Sequence, residues 1–176
     1  MNKLDDLADL IKEKNEVDAK IANIVGRPAQ VGHAGEFIAS VLFDIQLHHS
    51  ATHKSSDGIF QSGPLTGRDV DIKWYLKHEG LLDLNPTAPP DYYLVLAGPK
   101  AGAISSRGSV RPWKIEFVFL FDAQQLLAAL RPRGVKLGIA TSVVSEFWVK
   151  AEIYPTQRNH MLMLSDEQKQ QLTRFR

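Results

Sequence analysis

The stretch GRDVDIKWY, Gly67 to Tyr75, decides how this chain is read. Side chains alternate between the two faces of a β-strand. Read that way, Val70, Ile72 and Trp74 form an apolar face. Asp69, Asp71 and Lys73 share the other face, with Tyr75 after them. A strand packed on a core accounts for the apolar side. The second side carries two carboxylates and an amine in succession, soon after Asp57-Gly58, and needs a reason of its own.

Working outward, the flanking residues predict a hairpin. Its first arm lies near Gly58–Gln61, its turn is SGPLTG, and its second arm is Arg68–Tyr75. Upstream, Phe37, Ile38, Val41, Leu42 and Ile45 predict an amphipathic helix from about Ala34 to Leu47, with Glu36 at the edge of the buried stripe. Earlier still, Leu4, Leu7, Leu10, Ile11, Val17, Ile21 and Ile24 predict a helix from about Leu4 to Val25, stopped by Gly26 and Pro28. Its heptad breaks at Lys14 and Asn15, so a long coiled coil is not expected. The helix is read as packed on its own domain; a dimer arm, and so a homodimer, is the alternative.

Downstream, Asn85 to Pro90 is a proline-rich connection and YYLVLA, Tyr92–Ala97, a continuous buried strand. A basic loop rich in Gly, Ser and Pro follows, then an alternating strand, Trp113–Phe121. The short helix AQQLLAALR opens near Asp122, Val135–Thr141 reads as a last strand, and helical turns lie near Ser145–Glu152. Ser165, with Gln168 three residues on, opens the terminal helix as a capping box. The 176 residues therefore predict one α/β domain: an N-terminal helix over 1–28, a core over 31–142 and C-terminal helices over 143–176.

Composition narrows the classes. Apolar and charged fractions of 44% and 23% are those of an ordinary globular protein. No apolar run approaches the roughly 18 residues of a membrane span, and MNKLDDLADLIKEKNE is too charged for a secretory signal. The absence of cysteine excludes disulfides and thiolate metal sites and suits a cytoplasmic location. Net charge is only +1, so a polyanion must be held by a local patch. Lys100, Arg107, Arg111, Lys114, Arg131, Arg133 and Lys136 supply one in sequence, against Glu116 and Asp122.

The pattern Asp/Glu-x-Lys occurs at Asp18, Asp71 and Glu167. The first and third lie on helical patterns, where residues two apart do not face each other. On the strand, Asp71 and Lys73 do. Asp57 precedes Asp71 by fourteen positions across the hairpin, and Glu36 lies on a helix that should pack on the same sheet. With these residues the sequence resembles the PD-(D/E)XK nuclease superfamily: a helix glutamate, a strand aspartate, then a hairpin partner bearing Asp/Glu-x-Lys. The best match runs from Ala34 to Ala97, with Ser56 where the pattern has proline. The run GHxGE…DG…IKWY also resembles uncharacterised bacterial proteins, which brings no function.

The resemblance implies a central mixed β-sheet flanked by helices, restriction-endonuclease-like, and a Mg²⁺ (or Mn²⁺) dependent phosphodiester hydrolase. It implies Asp57 and Asp71 as direct metal ligands, and Glu36 as a group reaching the metal or its water. Lys73 would orient or deprotonate the attacking water. A hard divalent cation held by carboxylates is what charge build-up on a phosphate calls for. Asp69 shares the face of Asp71 about 7 Å away and competes for the ligand role. Asp71 is preferred because it is nearer Lys73, leaving Asp69 to pair with Arg68 or cap the hairpin. Without the resemblance, Asp57-Gly58 is a common turn and the Asp, Asp, Lys series a solvated strand face.

Lys77, Arg107, Arg111 and Lys114 are the candidates for phosphate contact, since such charges supply most nucleic-acid affinity. DNA is the expected partner ahead of RNA, and no membrane is expected. The alternatives are a non-catalytic DNA-binding or assembly module and an RNA-cleaving, toxin-like nuclease. His48, His49 and His53 lack a carboxylate at ligand spacing. Gly98-Pro99-Lys100 lacks the spacing of a phosphate loop. Arg27, in VGRPA, follows a helix stop rather than reading a minor groove.

Overall fold

The computed structural model describes residues 2–49, 55–101 and 111–176. Asn2 caps helix α1 (Lys3–Val25), its side chain accepting from the Leu4 N–H, and Gly26 at φ 73° ends it. Helix α2 (Val31–Phe43) then packs toward the sheet through Ala39, Leu42 and Phe43. Asp44 takes a left-handed φ of 52°, which closes the helix four residues before the expected Leu47. Ile45–Leu47 becomes strand β1 instead.

Strands β2 (Gly58–Phe60) and β3 (Asp69–Tyr75) form the expected hairpin. After β4 (Leu81–Leu82) come β5 (Tyr92–Ala97) and β6 (Phe117–Asp122). Helix α3 (Ala123–Leu130) is capped by Asp122, and β7 (Thr141–Ser142), α4 (Ser145–Ala151) and β8 (Glu152–Tyr154) follow. Ser165 and Gln168 close the capping box of α5 (Asp166–Thr173).

The main sheet runs β1-β2-β3-β5-β6-β8, with β3 and β5 parallel and the other neighbours antiparallel. It is therefore mixed, with helices packed on it. One face carries Val70, Ile72, Leu94, Leu96, Val118 and Leu120 against α2 and α5. The other carries Tyr93, Val95, Phe119 and Phe121 against Leu82, α3 and Trp148. Each fully buried aliphatic side chain in these layers contributes about 1.5–3 kcal/mol. The period of two in β5 thus separates two cores rather than a core from water.

Four other expectations change. The strand expected over 135–141 is reduced to β7, paired only with β4, because Gly138 (φ 142°) and Ala140 (φ 55°) break extended backbone. The strand expected from Trp113 starts at Phe117. Glu152 ends the helical turns and begins β8, drawn into the ladder by Val118 and Phe119. Most consequential, α1 contains no buried residue and meets α2 at its root, so it is not packed along its length on its own domain as expected. Among the described residues, no helix is long and apolar enough to cross a membrane.

Two glycines set the spacing on which the site depends. A Cβ on Gly58 would stand 2.6 Å from the Gln46 carbonyl oxygen and 2.7 Å from Ile45 Cγ2. One on Gly35 would stand 2.9 Å from Trp74 Cβ, where α2 crosses β3. Overpacking of this kind costs about 1–3 kcal/mol. In urea denaturation, Gly58→Ala should lose that much, whereas Val41→Ala, at an exposed position, should stay within about 0.5 kcal/mol of the parent. Equal effects would show that β1 and β2 do not need this close approach.

Candidate active site

The β2–β3 register pairs Gly58 with Val70 and Ile59 with Asp69, and Asp57 immediately precedes this ladder, alongside Val70 to Ile72 of β3. The Asp57 N–H donates to the Val70 carbonyl (2.9 Å), and Asp57 Oδ2 accepts from the Ile72 N–H (2.7 Å). One bond fixes the Asp57 backbone on β3 and the other fixes its carboxylate. The Asp57 and Asp71 carboxyls are near enough to interact electrostatically. On the other side, Lys73 Nζ is 2.7 Å from Asp71 Oδ1. Asp57, Asp71 and Lys73 therefore converge.

Asp71 is not on a wet face. Its side chain is 14% exposed and that of Lys73 is 28% exposed. The connection from β3 to β5 folds over this side of the sheet. The Tyr75 hydroxyl accepts from the Asp83 N–H and the Tyr93 hydroxyl from the Asn85 N–H, each at 2.9 Å. Burial pushes the Asp71 carboxyl up from 3.8 to about 7. Lys73 opposes this shift and the neighbouring Asp57 carboxylate adds to it. Burial also raises the Tyr75 and Tyr93 hydroxyls, and Asp71 contributes to both shifts.

Glu36 is placed differently. It forms an ion pair with Arg27, and both line a cleft of about 750 Å³ with Leu47, His48, His49, Ser56 and Asp57. Glu36 and Asp57 thus share a cleft, but Glu36 does not join a ligand cluster. Among the described residues, no three histidine or carboxylate side chains are grouped to hold a metal ion. Asp69 neither pairs with Arg68 nor caps the hairpin. It accepts from Ser56 Oγ (3.2 Å) and lies 3.8 Å from His48 Nε2, while Arg68 is 3.7 Å from Asp91. Ser56 and His48 carried no sequence signal for this contact, since it depends on how the loop between β1 and β2 closes.

The phosphate candidates divide as well. Lys77 turns to Glu79 at 2.6 Å and is 16% exposed, so it is not presented to solvent. Arg111 is exposed, and Lys114 is half-buried beside Trp74, whose indole N–H donates to the Lys114 carbonyl. Arg107 lies outside the described residues. No protein-family model matches the chain, and no curated protein is significantly similar to it.

The folded chain keeps a proton on Asp71 up to about pH 7, whereas the unfolded chain loses it near 3.8. Between these values the native state binds more protons, so this group's stabilisation is complete below the lower value and is lost as pH rises through the upper one. The stability of the parent minus that of Asp71→Asn should fall across this window, by an amount on the order of a few kcal/mol. Denaturant titrations at several pH values measure it. A flat difference would mean that Asp71 is ionised throughout.

Proposed function

We propose that the protein is a Mg²⁺- or Mn²⁺-dependent nuclease that hydrolyses phosphodiester bonds, with DNA as substrate, on a restriction-endonuclease-like sheet. The observation that carries this reading is the convergence of Asp57, Asp71 and Lys73 across the β2–β3 pair. Mg²⁺ dehydrates reluctantly and is usually held by one or two carboxylates plus substrate phosphates, so this donor pair fits it. Asp57 and Asp71 would hold the ion, which when bound supplies neutralisation of charge on the phosphate.

The remaining roles belong to the chain. The Ile72 N–H keeps Asp57 aimed at Asp71. Lys73, half-buried, attracts the scissile phosphate and exchanges a proton with the attacking water. Glu36 acts at a remove, by holding Arg27 at the wall of the cleft, where the guanidinium meets phosphate. Arg111, Lys114 and Arg107 extend the contact with the backbone of the nucleic acid. A second reading, a non-catalytic nucleic-acid-binding module on the same fold, is favoured by one observation: Glu36 stands apart from the carboxyl pair.

Purified protein should nick or degrade DNA with Mg²⁺ or Mn²⁺, and not with EDTA or with Ca²⁺ alone. Lys73→Ala should lower the rate by roughly 100-fold or more, and Asp71→Asn should abolish cleavage; both should keep the parent's circular dichroism. Mn²⁺ should raise the melting temperature of the parent and of Asp69→Ala, but not of Asp71→Ala. Variants that cut as the parent does would overturn the site. DNA binding without cleavage under every metal tried would establish the second reading.

Binding should also respond to Arg107→Ala and Arg111→Ala. Each phosphate contact removed should lower the slope of log affinity against log salt by about one. An unchanged slope would show that the basic loop does not touch the backbone.

A further inference from the structure

Helix α1 spans 23 residues, so it is roughly 35 Å long at about 1.5 Å per residue. None of its residues is buried. Leu4 is 67% exposed, Leu10 60% and Ile24 70%, and Leu7, Ile11 and Val17 are about half exposed. Its apolar residues of intermediate burial are Ile21, Ala22 and Val25, at the root where α1 meets α2. A helix gains most of its stability by burying an apolar stripe, and this one leaves its stripe open.

The stripe has a specific spacing. Leu7, Leu10, Lys14, Val17, Ile21 and Ile24 follow one another at intervals of three and four, the a and d positions of a two-stranded coiled coil. Lys14 does not end the pattern; it occupies one position within it. We propose that α1 pairs with α1 of a second copy of this chain, antiparallel, to make a homodimer.

Direction follows from Lys14. In a parallel pair Lys14 would face the partner's Lys14 in the seam. The antiparallel register that opposes a to d places Leu7 against the partner's Ile24 and Leu10 against the partner's Ile21. Lys14 then lies against the partner's Val17, its amine bonded to Asp18 of its own helix. The same register sets Glu13 beside the partner's Lys20, twice by symmetry, so the flanking charges are complementary. A membrane surface is a poor occupant. Such helices carry basic polar faces, and in α1 Asp5, Asp6, Asp9, Glu13, Glu16 and Asp18 outnumber Lys3, Lys12, Lys14 and Lys20. The inference does not rest on the nuclease reading.

Light scattering on the eluting full-length chain should give close to twice the 19.7 kDa of one copy. Leu10→Glu combined with Val17→Glu, both at exposed seam positions, should halve that mass and leave the melting temperature of the domain in place. The chain has no cysteine, which makes crosslinking unambiguous. A mixture of Leu7→Cys and Ile24→Cys proteins should oxidise to a mixed dimer, and Leu10→Cys alone should not crosslink. A monomeric parent, a dimer that survives the double glutamate variant, or self-crosslinking of Leu10→Cys would each overturn the proposal. So would flotation of the monomeric parent with vesicles of anionic phospholipid.

Discussion

Two carboxyl groups lie near each other beside the β2–β3 ladder, and much of the surrounding structure answers that juxtaposition. Two neighbouring carboxylates repel each other, and burial makes ionising both less favourable still. The Asp57 N–H donates to the Val70 carbonyl and the Asp57 carboxylate accepts from the Ile72 N–H, and the chain offsets the conflict in two ways. Lys73 brings a positive charge to 2.7 Å from Asp71, and the Asp71 carboxyl retains its proton to about pH 7. A solvated strand face would need neither device.

Burial sharpens the conflict. β3 and β5 are parallel, so the chain must cross over between them, and here it does so without a helix. Residues 76–91 instead lie over the sheet face that carries Asp71. The Asp83 and Asn85 N–H groups bond to the Tyr75 and Tyr93 hydroxyls and hold them there. Excluding water from this side is what lifts the Asp71 carboxyl. Perturbed ionisation beside a specific charge partner and near an open cleft is the combination that functional sites show more often than structural pairs.

How far the sequence revealed this depended on the range of each contact. Asp57, Asp71 and Lys73 belong to one hairpin, and alternation along β3 was enough to put them on one face. The capping box of α5 and the turn from α1 at Gly26 were equally local. Misreadings arose where backbone conformation at one residue overrode the apolar pattern. Asp44 in a left-handed conformation cut α2 short, and Gly138 and Ala140 did the same to the strand expected at Val135. The Glu36–Arg27 pair was not legible because it depends on how α2 sits against the chain leaving α1. The openness of α1 was hidden for a simpler reason: an apolar stripe looks the same whether its own domain or another chain covers it.

Arg27 joins the two parts of the molecule that the sequence kept separate. Gly26 ends α1 with a left-handed turn, so the next residue is thrown toward α2 rather than along the axis of the arm. There its guanidinium pairs with Glu36, whose side chain is only 18% exposed, and it lines the cleft that also reaches Asp57. The charge at the wall of the cleft is thus set by an ion pair between the connection that leaves α1 and helix α2. An anion entering the cleft meets an arginine already engaged, and must either share it with Glu36 or displace the carboxylate. Arg27 therefore stands at the junction between α1 and the cleft that Asp57 also lines.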